Sequence, residues 1–182
     1  MLYTLVGTME HDAKVRRAIF IQNSTDIREM FEFAHPAQVL QPVNVYASHF
    51  YGSMLWDLYG PGAGQVFRSW STCVKLAWGV PRRSHHYFVE HILSCGIPSV
   101  RQKVLGQYLG FFQKLLVSES SVIRLLASVV GRDAGSVTGS NLINLEEEFR
   151  LDLWVSSSSQ LAEMYSGYEV PAEDSWRLPP LV

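Results

Sequence analysis

The sequence predicts an all-α fold, an irregular multi-helix bundle of about seven to eight helices followed by a disordered C-terminal tail. Through most of the chain, apolar residues recur at intervals of three and four, which is the period of a helix with one buried face. No segment shows the strict alternation of a half-buried strand. Hydrophobic residues make up 47% of the 182 residues and charged residues 18%, so the chain has enough apolar material for a core.

The pattern divides the chain into three parts. Residues 1–11 have no clear period, so we expect an irregular N-terminus. The helical period then continues through residues 12–154, which we interpret as one domain. Residues 155–182 form an acidic, proline-containing tail without a period, which is typical of a frayed terminus.

A break at Asn23 and Ser24 separates the first two predicted helices of this domain. Ser24 would cap the second helix, and Pro36 would end it, because the residue before a proline is disfavoured in a helix. Pro36 would also start a third helix. The expected inner positions of the first two helices are Val15, Ala18, Ile19, Ile27, Met30, Phe31 and Ala34.

The clearest helical period in the chain lies between Val43 and Leu58. A stripe of methionine and aromatic residues could line a cofactor site, but no fixed polar group accompanies this one, so we interpret it as core. Residues 59–64 contain three glycines without the spacing or the lysine of a P-loop, so we predict a turn. The stripe comprises Val43, Tyr46, Ala47, Phe50, Tyr51, Met54, Leu55 and Leu58.

Two helices are predicted on either side of a basic corner at Arg82 and Arg83. The first covers residues 65–79, carries Trp70 and Trp78 on its apolar side, and ends at Gly79. The second begins after Ser84 and ends near residue 95. Its expected inner positions are Phe88, Ile92 and Cys95.

Three further helices are predicted towards the C-terminus. Ser99 and Gln102 have the spacing of a capping box, which starts the first of these helices. The second covers residues 122–134 and the third residues 141–154. We expect the inner positions to be Val104, Leu105, Tyr108, Leu109, Phe112, Leu115 and Leu116, then Val122, Leu126, Val129 and Val130, and finally Leu142, Leu145, Phe149 and Leu153.

Charge is distributed unevenly along the chain. The formal net charge is only -2, but residues 60–140 carry 9 basic and 3 acidic side chains, and residues 141–182 carry 2 basic and 8 acidic ones. Basic side chains on helical faces neutralise phosphates without reading sequence, and such binding weakens as salt rises. The alternative is an ordinary solvated face. The candidate nucleic-acid-binding residues are Arg68, Lys75, Arg82, Arg83, Arg101, Lys103, Lys114, Arg124 and Arg132.

No cofactor, metal or catalytic group is expected. His91 and Cys95 lie one helical turn apart near His85 and His86, and Cys73 could join them only if the fold brought it near, but the paired spacings of structural zinc are absent. No G-x-S-x-G motif occurs, and a thiol on the apolar side of its helix is inert. We therefore expect no enzymatic activity from this chain.

The sequence also favours an intracellular protein. It contains no signal peptide pattern and no apolar run of about 20 residues, so we expect neither secretion nor a membrane partner, and nucleus and cytoplasm fit equally well. Cys73 and Cys95 are then expected to be free, buried thiols in a reducing compartment. No small-molecule substrate is evident.

Several stretches resemble the region after the polymerase palm in reverse transcriptases of non-LTR (LINE-type) retrotransposons. The similarity covers roughly residues 13–150. The stretches are Arg17-Ala-Ile-Phe-Ile-Gln-Asn-Ser24, Ile27-Arg-Glu-Met-Phe-Glu-Phe-Ala-His-Pro36, Tyr51-Gly-Ser-Met-Leu-Trp-Asp-Leu58, Trp70-Ser-Thr-Cys-Val-Lys-Leu-Ala-Trp-Gly-Val-Pro-Arg-Arg83, Arg132-Asp133 and Thr138-Gly-Ser-Asn-Leu142.

This resemblance implies a thumb and post-thumb segment, which in that family packs against the primer–template duplex. Its expected partners are RNA or an RNA–DNA duplex and the polymerase palm of a longer parent protein. The family's aromatic-Ala-Asp-Asp metal site is not in this sequence, so the chain resembles a truncated, non-catalytic copy and no catalytic residue is carried over. The alternatives are a helical protein–protein interaction module, an inert remnant of the element, and a zinc-stabilised helical domain.

Overall fold

The structure is a computed structural model that describes residues 3–85 and 88–150, with side chains at 9–85, 88–89 and 92–150. Every regular element in these ranges is helical, which confirms the all-α prediction. The described part contains six α-helices, slightly fewer than predicted, and three short π or 3₁₀ segments. The α-helices are α1 (Tyr3–Met30), α2 (Pro36–Pro42), α3 (Pro61–Ala77), α4 (Val100–Leu116), α5 (Ser121–Arg132) and α6 (Val137–Phe149). The predicted tail, 155–182, lies outside the described residues.

Helix α1 is one continuous helix of 28 residues, which differs from the irregular start and the break predicted from the sequence. Ser24 does not act as a cap, because its hydroxyl donates to the carbonyl of Phe20 within the helix at 2.6 Å. The inner face was predicted wrongly at most positions, although Ile27 is partly buried and packs against the core. Ala13 and Phe20 are buried, whereas Val15 and Ile19 are more than 40% exposed. Met30 and Phe31 are exposed as well.

Contact with α3 decides which face of α1 is buried. A Cβ atom at Gly62 would lie 3.3 Å from the Cβ of Ala13, so the two helices approach each other closely at a pair of small residues. Beyond this point α3 inserts Val66, Trp70 and Val74 into the core, and all three are fully buried. These residues confirm the predicted apolar face of α3, although the helix starts earlier than expected, at Pro61.

The stripe from Val43 to Leu58 is only half buried, because this stretch does not form one helix. A π-helical segment, Val43–Ala47, follows α2, and a 3₁₀ turn, Ser53–Leu55, comes after Gly52, whose φ is +86°. Both features take the chain off the period of 3.6 residues. The buried members are Val43, Ala47, Phe50 and Leu58, and the exposed ones are Tyr46, Tyr51 and Leu55.

The segment after the basic corner is a short π-helix, Phe88–Leu93, rather than an α-helix. Gly79 ends the preceding helix at a positive φ of 62°, as predicted. Val89 and Leu93 are buried, whereas Phe88, Ile92 and Cys95 are exposed, so the predicted inner face of this segment was wrong. The Trp78 indole donates to the Leu93 carbonyl at 2.7 Å, which ties the segment to the end of α3.

The last three helices match the predicted order but not every predicted face. Ser99 and Gln102 form the predicted capping box at the start of α4, and Ser136 caps α6. The buried positions of α4 and α6 include most of those predicted. Helix α5 is different, since its buried residues are Ala127 and Gly131. The predicted inner positions Val122, Leu126, Val129 and Val130 are exposed, and Leu153 lies outside the described residues.

A buried asparagine of α6 connects the two ends of the domain. Asn141 is 1% exposed, and its side-chain oxygen accepts from the Leu58 backbone N–H at 3.0 Å while its amide donates to the Trp56 carbonyl at 2.8 Å. The Trp56 indole in turn donates to the carboxylate of Asp12 on α1 at 2.9 Å. Helix α6 therefore holds the 56–58 loop, and this loop holds α1.

We predict that Asn141→Ala destabilises the protein by about 2–4 kcal/mol, because it leaves two buried backbone groups without hydrogen-bond partners. Urea denaturation followed by circular dichroism measures this difference. Asn144→Ala is the matched control on the same helix, since Asn144 makes only a 3.5 Å contact with Ser140. Equal midpoints for the two variants would contradict the role assigned to Asn141.

Candidate nucleic-acid interface

The nine predicted basic residues do not form one surface. The structure distributes them over α3, the corner at residues 81–84, α4 and α5. At least four of them donate side-chain hydrogen bonds to other parts of the protein. The remaining five lie at exposed positions on these elements, and Arg132 among them also has an interaction partner. The first group is Lys75, Arg101, Lys103 and Arg124, and the second is Arg68, Arg82, Arg83, Lys114 and Arg132.

Lys103 stabilises the end of the first π-helical segment. Its ammonium group donates to the Asn44 carbonyl and to the Ser48 hydroxyl, the latter at 2.7 Å. Burial disfavours the charged form, so the pKa of Lys103 is lowered from its usual value. These contacts turn the ammonium group towards the protein and use two of its three N–H donors.

Arg101 forms an ion pair with Glu148, which joins the start of α4 to the end of α6. The distance between the guanidinium nitrogen and the carboxylate is 2.6 Å, and the Tyr59 hydroxyl donates to the same carboxylate oxygen at 2.8 Å. Desolvation raises the pKa of Glu148, but the two hydrogen bonds and the charge of Arg101 outweigh it, so this pKa lies below its usual value. Arg101 thus has a structural partner in place of a phosphate.

Lys75 and Arg124 bind backbone carbonyls near the ends of helices. Lys75 donates to the Arg82 carbonyl at 2.9 Å, which fixes the basic corner beside the last turn of α3. Arg124 donates to the carbonyls of Ser118 and Glu119, at the turn that precedes α5. Both contacts are exposed, so these side chains can exchange partners more easily than Lys103.

A concave groove with a volume of about 300 Å³ lies between α1 and α3. Three arginines line it, Arg17 and Arg28 from α1 and Arg68 from α3, and none of the described acidic side chains does. The Arg17 guanidinium donates to the Ser69 hydroxyl at 3.0 Å, which holds it across the groove. We call this feature the arginine groove.

Arg68 is therefore the one predicted residue that lies in this groove. Arg17 and Arg28 were missed because the prediction considered only the basic stretch at residues 60–140. Their spacing of 11 residues was a usable signal, since 11 residues make about three turns and place both side chains on one face of a helix.

The apolar side of the groove contains Cys73, which the structure describes as a free thiol. Burial disfavours the thiolate and raises the pKa of Cys73 to about 11, although Ser24 and Arg28 act in the opposite direction. Such a thiol is a poor nucleophile. Cys95 is also free but exposed, so the prediction that both thiols are buried was wrong for Cys95.

A second concave surface separates α5 from α4. It has a volume of about 280 Å³ and is lined mainly by apolar residues of these helices, with Met54 and Leu55 at one edge. The outer face of α5 continues this apolar surface, since Val122, Leu125, Leu126 and Val129 are each more than half exposed. We call these four residues the α5 face.

The described side chains do not form a metal site or a membrane-spanning helix. Among them, no group of three or more histidine, cysteine or acidic side chains is placed to hold a metal ion. His86 and the side chain of His91, which belong to the histidine cluster that the sequence did not favour as a zinc site, lie outside the described set. No described helix combines the length and apolar character needed to cross a bilayer.

Comparison of the chain with protein-family models, with curated proteins and with solved structures gives no match in any of the three. Arguments about function therefore rest on the residues and their geometry.

We predict that alkylation distinguishes the two thiols at neutral pH. Cys95 should react quickly with iodoacetamide, whereas Cys73 should react at least a hundredfold more slowly than an ordinary thiol, because a pKa raised from 9.0 to about 11 reduces the thiolate fraction about a hundredfold. Mass spectrometry of Cys95→Ser and Cys73→Ser proteins measures each site alone. Equal rates in the two single-thiol proteins would show that Cys73 is not buried in the groove.

Proposed function

We propose that this chain is a non-catalytic helical module that holds an RNA or RNA–DNA duplex by its phosphate backbone, as the resemblance to the reverse transcriptase thumb implies. The observation that carries the proposal is that Arg17, Arg28 and Arg68 line one groove, to which the described part of the chain contributes no carboxylate. The exposed corner with Arg82 and Arg83 lies at the end of α3, where Lys75 holds it.

The spacing of the arginines favours a polymer of phosphates over a single one. Arg17 and Arg28 are 11 residues apart on a continuous helix, which corresponds to about 16 Å along its axis. The two side chains thus start from levels about three turns apart, and a nucleic-acid backbone presents charges at short intervals along such a length. Guanidinium groups also bind phosphate oxygens in a bidentate manner.

This proposal keeps only some of the nine predicted basic residues as contacts to the duplex. Lys103 and Arg101 are engaged with Asn44 and Glu148, so we assign them to the fold. The proposed contacts are Arg17, Arg28, Arg68, Arg82 and Arg83. Backbone contacts of this kind confer affinity without sequence selectivity.

We predict salt-dependent binding of a fluorescent RNA–DNA hybrid. Each arginine that contacts a phosphate should contribute about 0.9 to the slope of log affinity against log salt, the value found for B-form duplexes. Changing Arg68, Arg82 and Arg83 together to Gln should therefore lower the slope by about 2–3, as measured by fluorescence anisotropy over a range of salt concentrations.

Two controls accompany this measurement. Changing the same three residues to Lys keeps the charges and should keep the slope, and changing Arg124 and Arg132 to Gln removes charge from α5 and should have a smaller effect. If the α5 variant and the triple Gln variant lose binding equally, the proposed location is wrong. A salt-independent affinity, or no binding at low salt, contradicts duplex binding altogether.

The α5 face favours a second candidate function, a helical protein–protein interaction module. Four large apolar side chains more than half exposed on a 12-residue helix form a surface that monomeric proteins rarely leave uncovered. A second copy of the chain could cover it through a two-fold contact, because such a contact buries the same face on both subunits.

We predict that this second function would appear as concentration-dependent dimerisation in sedimentation velocity experiments. Leu125→Glu combined with Val129→Glu should abolish it, because the dimer would then bury carboxylates without partners. Val117→Glu is the control, since Val117 is 78% exposed and lies outside α5. A protein that remains monomeric at its highest attainable concentration excludes self-association through the α5 face.

A further inference from the structure

The arginine groove has an apolar floor that phosphate binding does not require. Beneath the arginines lie Phe20, Ile21, Val39, Leu76 and Ala77, drawn from α1, α2 and α3. A nucleic-acid backbone would contact the charged rim and leave this floor unused. An apolar floor with a charged rim is instead the usual composition of a small-molecule site.

We propose that the arginine groove binds an amphipathic carboxylate, a single apolar chain with one terminal carboxylate. The carboxylate would lie between Arg17 and Arg68, and the chain would extend along the floor towards Cys73 and Leu76. This inference does not rest on duplex binding, although both ligands would use Arg68 and would therefore compete.

The positions of the arginines indicate where the carboxylate of the ligand would lie. Arg17 donates to Ser69, the residue next to Arg68, so Arg17 and Arg68 lie at the same level of the groove. Arg17 is oriented by this bond, and an oriented guanidinium group loses less entropy when it binds a carboxylate. Arg28 lies about three turns further along α1 and near Cys73, where its charge opposes, without cancelling, the rise that burial causes in the pKa of this thiol.

The dimensions of the groove favour a single chain over a protein helix. A helix with its side chains is about 10–12 Å across, whereas a volume of about 300 Å³ is at the small end of ligand sites. The distance of about 16 Å between the levels of Arg17 and Arg28 suits an extended chain of moderate length. No small-molecule ligand was evident from the sequence, so the proposed ligand goes beyond the sequence-based prediction.

Three probes of equal chain length test whether binding depends on the carboxylate or only on burial of the apolar chain. Dodecanoate, dodecanol and dodecyltrimethylammonium are titrated into Cys95→Ser protein below their micelle concentrations, by isothermal calorimetry. We expect dodecanoate to bind at one site and the other two at least tenfold more weakly, since both lack the group that pairs with the arginines. Acetate, which has the carboxylate without the chain, should not bind measurably.

Alkylation of Cys73 reports whether the ligand occupies the groove. Bound dodecanoate should slow this alkylation further and leave the rate at Cys95 in the wild-type protein unchanged. Arg68→Gln should weaken dodecanoate binding about tenfold or more without altering the weak binding of dodecanol. Lys114→Gln is the matched control, since Lys114 is an exposed cation on α4 that does not line the groove.

Three results would overturn the proposal: equal binding of dodecanoate and dodecanol, dodecanoate binding that leaves Cys73 unprotected, or equal effects of Arg68→Gln and Lys114→Gln. Circular dichroism of each variant shows that it is folded before it is titrated. These measurements contain no nucleic acid. A negative result here therefore concerns carboxylate binding alone, and a negative result in the RNA–DNA titration concerns duplex binding alone.

Discussion

The close approach of α1 and α3 is the constraint on which the rest of the structure depends. Gly62 and Ala13 let the helices meet at van der Waals distance, and α3 then contacts α2, the 88–93 segment and α4 from its other sides. Trp70 is fully buried at the centre of α3, the helix on which these neighbours pack. A Cβ atom at position 62 would press on Ala13, so glycine at this position allows the helices to approach this closely.

The parts of the fold that local chemistry determines were predictable from the sequence. The capping box at Ser99 and the positive φ at Gly79 need only nearby residues, and both were predicted correctly. The buried face of a helix depends instead on what packs against it. Helices α1 and α5 carry apolar residues on several sides, so periodicity alone chose the wrong face in both.

The candidate site was predictable in composition but not in arrangement. A count of basic residues identified Arg68, yet it also selected Arg101 and Lys103, whose partners lie 47 and 59 residues away in the sequence. Only the tertiary structure shows that such cations are already paired. It also shows that Arg17, from a part of the chain with net negative charge, faces Arg68 across one groove. In this protein, the net charge of a stretch of sequence therefore does not predict the charge of the surface to which its residues contribute.

The position of Asn141 has a consequence for the order in which the protein is made. The amide that satisfies the Trp56 carbonyl lies 85 residues further along the chain. At roughly 5–20 residues per second, a ribosome adds these residues in about 4–17 s. For that time, α1 and the 56–58 loop exist without the side chain that holds this loop to α6. Synthesis of the last described helix is thus the step at which the nascent chain can first acquire its complete hydrogen-bonded interior.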